Sequence, residues 1–299
     1  MGNFIALIPP FLDSIAVYVD KLILSKYNIN VTILTLYSGI FAFVIGLIVL
    51  LFTGLYVVDQ KSTLILVASG FFGIFSLFTY FKALTHDEGS RVGSLFQFIP
   101  VIVLVLSFIF FGEKLQLKQY IGSALIILAG FFLALQKTDR GIVKLNKAFW
   151  LMILSSLFSA FVYVLFKFGV KQAGFWGSLP YEGFGSGLGT ISILMYRNNF
   201  KMAIKYTKKH MSQKILIYMT AVEFLARVSR YVLFFALTLI PASIASVLMG
   251  FQPFFLLIIG IILSLWFPNL MKEVVTKKTV GLKILATIGI FTGLYLIFL

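Results

Sequence analysis

The sequence predicts an all-α integral membrane protein in which ten transmembrane helices form two inverted five-helix repeats. Three observations lead there: a composition poor in charge, ten apolar spans of membrane-crossing length, and an ungapped match between the two halves. Of the 299 residues, 60% are hydrophobic and 12% charged, and the mean hydropathy is +1.03. A soluble domain carries about 25% charged residues. There is no Cys, which excludes disulfides and thiolate chemistry. A formal charge of +15 would suit nucleic acid in a soluble chain. Here the same lysines are explained by membrane orientation, and no nucleic-acid partner is expected.

A window of about 20 residues at 1.5 Å per residue covers the ~30 Å hydrocarbon layer. Such windows fall at residues 3–24, 30–57, 62–85, 90–111, 118–136, 147–170, 177–196, 214–239, 242–265 and 279–299. The longest polar connections, Gln136 to Lys147 and Arg197 to Lys214, are too small to form a soluble domain. The first span lacks a basic n-region and a small-residue cleavage site, so it reads as a retained helix and not a signal peptide.

The halves match through one stretch in particular. FKALTHDEGSRVGSLFQFIP (Phe81 to Pro100) and FFALTLIPASIASVLMGFQP (Phe234 to Pro253) share eight of twenty positions at a constant offset of 153, from 85 to 238 and from 100 to 253. Gly122 and Gly130 recur as Gly281 and Gly289 at an offset of 159, and Lys21 and Asp13 correspond to Lys167 and Ser159 at 146. An ungapped self-match implies an internal repeat. The units are residues 1–139 and 140–299. Five spans per unit is odd, so the second unit enters the membrane from the opposite side. Many secondary transporters are built this way, with substrate bound near the midplane between the repeats. The alternative is a duplicated packing scaffold, as in some membrane enzymes.

Taken in order, the spans show where chemistry can reside. In the first, Pro9-Pro10 kink the helix and Asp13 follows mid-span. Asp20 and Lys21, like Lys82 and Lys167 later, lie within a turn of a span end, where snorkelling to headgroups explains them. Span three contributes Tyr80. The turn Thr85 to Ser90 lets water solvate His86, Asp87 and Glu88, with Gly89 and Ser90 expected to start and cap the next helix. Pro100 in span four and Pro253 in span nine each remove an amide donor, tolerable in lipid only where the freed carbonyl meets protein or a wet cavity. Gln97, Tyr163 and Gln252 can offer hydrogen bonds inside such a cavity. Span seven opens with Trp176, Tyr181 and Glu182 beside GFGSGLG (Gly183 to Gly189), a run that permits close helix packing.

Span eight carries the strongest signal. Glu223, Arg227 and Arg230 fall at i, i+4 and i+7 on one face, and intramembrane charge is costly enough to imply a role. One acid leaves a surplus positive charge, for which Asp13 is the expected partner. Two roles stay open: a buried network fixing helix registry, or a cavity-facing network that binds or gates substrate.

The pattern Ala-Leu-Thr followed by Pro100, then Gly112-Glu113, Gly122 and Gly130 in FFGEKLQLKQYIGSALIILAGFFLAL (Phe110 to Leu135), resembles the EamA-type transporters of the drug/metabolite transporter superfamily. The resemblance extends over both halves. It departs where Leu265-Trp266 stand in place of Gly112-Glu113, and at Lys82, His86, Asp87 and Glu88, where apolar residues would be commoner. It implies that the proline-broken helices line a central cavity and that the cargo is a small polar metabolite, an amino acid or a relative of one, moved outward. A substrate carboxylate would sit at Arg227 or Arg230, with Asp13 and Glu223 balancing the empty site and either able to carry a coupling proton. The alternative is a lipid or lipid-linked-group translocase, or an organic-cation or drug exporter, on the same fold. Membrane lipids are the other expected partners.

An enzyme is not expected. His86 and His210 lie in separate loops, Asp87-Glu88 and Asp139 form no metal constellation, and no phosphate-binding glycine loop precedes a helix. No cofactor or metal is anticipated. An ion channel is disfavoured because no repeated filter-like segment is present. Sixteen basic residues fall in or beside the odd-numbered loops and only Lys61, Lys114, Lys118 and Lys171 on the face carrying both termini. By the positive-inside rule the odd loops lie in the cytoplasm of a plasma-membrane protein and both termini outside.

Overall fold

The computed structural model describes residues 2–54, 58–134, 147–195, 213–266 and 277–298. Among them the protein is all-helical, with no strand. A short α1 (Gly2–Ile5) precedes α2 (Ile8–Ser25), followed by α3 (Val31–Thr53), α4 (Gln60–Leu84), α5 (Gly89–Ser94), α6 (Phe98–Phe111), α7 (Leu117–Ala134) and α8 (Lys147–Met195). Then come α9 (Gln213–Leu239), α10 (Ala242–Met249), α11 (Gln252–Trp266) and α12 (Lys277–Phe298). Six segments are long and apolar enough to cross a membrane: Gly2–Ser25, Val31–Thr53, Gln60–Leu84, Gly89–Phe111, Lys147–Met195 and Ala242–Ser264. Leu117–Phe131 and Leu285–Phe298 are shorter apolar helices. The chain is a multi-pass membrane protein.

Local chemistry sets where these helices begin and end. Asn30 and Asp59 cap α3 and α4 by accepting from the amides of Thr32 (2.8 Å) and Ser62 (3.0 Å), which satisfies donors left open at a first turn. Pro9 and Pro10 stand in the first turn of α2, where their missing or unused amide costs nothing, so they separate α1 from α2 as the sequence predicts. Pro100 and Pro253 fall likewise in the first turns of α6 and α11. The breaks lie just before them, at a 3₁₀ turn over Leu95–Gln97 and at the turn Gly250-Phe251. At 49 residues α8 would run ~74 Å if straight, far more than a bilayer core. Gly174, at φ +64°, breaks it into two helical stretches, a conformation an L side chain rarely takes.

Close packing along α8 holds the bundle together, with α4 and α3 lying against it. The expectation for the glycine run holds. A Cβ on Gly185 would collide with the Val67 carbonyl, and one on Gly183 would sit 2.9 Å from Cα of Gly46. Helices in lipid associate through such small-residue contacts because no hydrophobic drive separates tails from side chains. Elsewhere α2 packs on α9 and α7 on α12, where Gly122 faces Gly293.

Two expectations about helix ends are corrected. Gly89 does start α5, but the N-cap is Glu88, without a side-chain cap bond, and Ser90 is already helical and caps nothing. Lys21 and Lys167 do not snorkel. Lys21 Nζ donates to the carbonyls of Leu84 (2.6 Å) and Asp87 (2.7 Å), and Lys167 Nζ to those of Leu237 (2.5 Å) and Ile240 (2.8 Å). Each lysine caps the open C-terminal end of a neighbouring helix, where carbonyls and the helix dipole attract a cation. Lys82 instead lies 4.1 Å from the centre of the Phe78 ring. Lys137, Asp139, Arg140, Lys144, Arg197, Lys201, Lys205, Lys208, Lys209, His210 and Lys272 lie outside the described residues.

Candidate functional site

A cavity of about 140 Å³ opens among α2, α4, α8, α9, the α5–α6 break and the α10–α11 break. A cavity near 150 Å³ holds a benzene-sized molecule, which sets the scale of what fits. Helical periodicity builds its walls. From α2 come Asp13, Ala16, Val17 and Asp20 at i, i+3, i+4 and i+7, from α4 Ser76, Leu77, Tyr80 and Phe81, and from α8 Ser159, Val162 and Tyr163. From α9 the same periodicity brings Glu223, Arg227 and Arg230, and the two breaks add Phe96, Ile99, Met249 and Gln252. The broken helices therefore do face the cavity, as the resemblance implies, although Pro9, Pro10, Pro100 and Pro253 themselves stand behind the wall.

The charges are arranged otherwise than span eight alone suggests. Glu182, fully buried on the second stretch of α8, takes both arginines: Arg227 Nη1 lies 3.3 Å from one carboxylate oxygen and Arg230 Nη1 3.4 Å from the other. Asp13 is not the direct ion-pair partner expected: among the described residues no ion pair joins it to either arginine, and Ser229 and Arg230 act on its carboxylate only as neighbours. Arg227 is nearly buried and leaves its Nε without a partner, while the Arg230 side chain stays 22% exposed toward the cavity. Three carboxylates and two guanidiniums line the space, and with Glu182 behind them the count is four to two. The predicted surplus of positive charge is in fact a surplus of acid.

Glu223 is hydrogen-bonded to Ser38 of α3, which also reaches the Leu34 carbonyl at 3.0 Å. Asp20 accepts from the Tyr80 hydroxyl at 3.2 Å. Tyr163 and Gln252, each at least nine-tenths buried, line the cavity without a side-chain hydrogen bond to the described protein. Gln97 is placed elsewhere, donating to the Gly250 carbonyl at 2.9 Å where the two breaks cross. Of the residues singled out by sequence, Asp13, Tyr80, Tyr163, Glu223, Arg227, Arg230 and Gln252 share the cavity, Glu182 supports it, and Gln97 and the prolines shape it from outside.

At one end of the bundle a second polar contact links distant elements. Glu113, after a left-handed Gly112 at φ +62°, turns its carboxylate onto the start of α10, accepting from the amides of Ala242 and Ser243 (both 3.1 Å) and the Ser243 hydroxyl (2.6 Å).

Residues 1–135, which carry Gly112-Glu113 and the part of the cavity wall that holds Asp13, Asp20 and Tyr80, match the model of the EamA-like transporter family. The matched part, 135 of the 299 residues, is similar to that family, which lies within the drug/metabolite transporter superfamily. No curated protein matches the chain significantly. Among 27 matching chains of solved structures, one crystal structure superposes with a TM-score of 0.68 at 12% identity, covering 98% of each chain, a likeness of fold alone.

Like Lys21 and Lys167, Asp20 departs from the expectation of snorkelling. It is 6% exposed and lines the cavity instead of reaching headgroups. The signal was present: Asp13 and Asp20 are seven apart, hence on one face of α2. Glu113 was recognised as unmatched in the second half, but its partner 129 residues away could not be read from sequence.

Proposed function

We propose that this EamA-like protein is a secondary transporter of small polar metabolites, amino acids or close relatives, working by alternating access through the central cavity. The observation that carries the reading is a small buried cavity lined by both signs of charge, which suits a zwitterion. Arg230, engaged by only one of its nitrogens and open to the cavity, would hold the substrate carboxylate. Arg227 would lock the arginine pair to Glu182. A cavity of about 140 Å³ has little room for a lipid headgroup with its chains, which weighs against the translocase alternative. Export across the plasma membrane is part of the proposal as what the resemblance implies, while odd loops in the cytoplasm and both termini outside rest on the basic-residue distribution.

Alternating access requires two related halves, and contacts repeated at the sequence's own offsets support residues 1–139 and 140–299 as inverted five-helix units. Lys21 on Leu84 and Asp87 is mirrored by Lys167 on Leu237 and Ile240, at offsets 146 and 153. Ser76 on Ser159, at 2.6 Å, mirrors Ser229 beside Asp13. Gln97 bonds Gly250, its own counterpart at 153. The broken α8 supplies the two crossings that ten spans need.

A coupling proton would sit on Glu223 or Asp13. The Ser38 hydroxyl has a single hydrogen yet faces both Leu34 and Glu223. Both contacts are served when Glu223 carries a proton and donates it to Ser38, which favours Glu223.

Replacing Arg230 with Gln, and separately Arg227, tests the reading. Both variants should fold into the membrane and lose uptake of labelled amino acids into proteoliposomes. Transport at the wild-type rate by both would remove the arginines from the mechanism.

A further inference from the structure

Asp20 occupies the one corner of the cavity wall where the surrounding groups supply no positive charge. Its electrostatic neighbours are Glu223, Asp13 and the Tyr80 hydroxyl, and no Lys or Arg among the described residues lies in ion-pair range. The adjacent Lys21 is turned away onto the carbonyls of Leu84 and Asp87. Around Asp20 the wall is aromatic. Tyr80 lies with its ring centre 5.2 Å from that of Phe81 and 5.3 Å from that of Phe96, and all three line the cavity. A buried ionised carboxylate without a counter-ion is strongly unfavourable. Aromatic faces beside it attract a cation more than any other ligand.

The opposite sign gathers elsewhere in the same space. Asp13 faces Arg230, and Asp20 is two helical turns on from Asp13, about 10 Å along α2 at 1.5 Å per residue. The cavity thus has a basic region at Arg230 and an acidic one at Asp20 and Glu223. The hydroxyl of Tyr163 and the amide of Gln252, both buried and without a side-chain hydrogen bond among the described residues, are further polar groups in its lining.

We propose that Asp20, Tyr80 and the rings of Phe81 and Phe96 form an ammonium subsite that recognises a primary amine of the substrate. This deepens the transport reading and rests on it for the identity of the cavity. The carboxylate of Asp20 accepts the ammonium N–H groups, the Tyr80 hydroxyl holds that carboxylate in place, and the rings exclude water. An amino acid would then lie with its amine at Asp20 and its carboxylate toward Arg230, whereas a simple alkylamine would use the acidic region alone.

Binding to purified protein in detergent tests this without requiring transport. The thermal unfolding midpoint is followed with individual amino acids, n-alkylamines and the N-acetyl derivatives of both. Free amines should raise the midpoint and their N-acetyl forms should not. Asp20→Asn should weaken amine binding at least tenfold, Asp20→Glu should restore part of it, and Arg230→Gln should still bind alkylamines. The proposal is overturned if N-acetyl compounds bind as well as free amines, if folded Asp20→Asn binds them like wild type, or if no amine shifts the wild-type midpoint. Amine binding without any transport would instead remove the transport reading and leave the subsite standing.

Discussion

Breaking the Glu113 contact should open the end of the bundle where it sits. Its carboxylate accepts three hydrogen bonds at the start of α10, whose N-cap, Pro241, offers no side-chain acceptor of its own. A helix cap contributes about 1 kcal/mol and hydrogen bonds to a charged group about 1.5–3 kcal/mol each. Because Glu113 is half-exposed and the contacts share one carboxylate, the low end applies, giving about 1.5–3 kcal/mol for the whole latch. At 1.4 kcal/mol per tenfold, Glu113→Ala shifts the closed-to-open balance at that end by roughly 10- to 100-fold. The chain has no cysteine, so Ser159→Cys places a single thiol in the cavity wall. Reaction of that thiol with a membrane-impermeant maleimide, added on the Glu113 side, should accelerate about tenfold or more in the Glu113→Ala background. Glu113→Gln, which retains one acceptor oxygen, should fall between. An unchanged labelling rate in folded Glu113→Ala protein would refute the latch.

Other perturbations have equally definite outcomes. Glu182→Gln leaves the buried Arg227 and the partly exposed Arg230 without their carboxylate, a loss of about 3–5 kcal/mol for the broken buried Arg227 pair, and should lower the thermal midpoint in detergent markedly; an unaltered midpoint would mean that Arg227 and Arg230 have another partner. Lys21→Met and Lys167→Met each remove two carbonyl contacts at a helix end and should destabilise by similar amounts, about 1–2 kcal/mol in denaturant titrations. Strongly unequal losses would argue against equivalent halves. Gly185→Val forces a side chain against the Val67 carbonyl and should cost about 1–3 kcal/mol by separating α4 from α8, read as a reduced folded yield.

Hydropathy and proline positions made most of the helices readable in advance, because span length and a missing amide are local properties. The C-terminal ends of α2, α4, α6 and α9 fall within a few residues of expectation, and the breaks near Pro100 and Pro253 lie just before the prolines. The charge network was less readable because it is made by contact between helices. Glu182 lies 45 residues before Arg227, and nothing local selects it over Asp13, which has the same charge. Asp20 was misplaced because distance from a span end predicts snorkelling, yet α2 turns this residue inward beside Tyr80. Lys21 and Lys167 failed the same rule for the same reason: helix ends inside a bundle present carbonyls closer than the headgroups do.

Counterflow in proteoliposomes tests the central claim most directly. Vesicles holding the purified protein are loaded with unlabelled amino acids, diluted into a labelled mixture with no ion gradient, and followed for uptake. A carrier with alternating access predicts transient, protein-dependent accumulation of label, with single omissions identifying the substrate. No accumulation by protein shown to be folded in the vesicles would contradict amino-acid transport through this cavity.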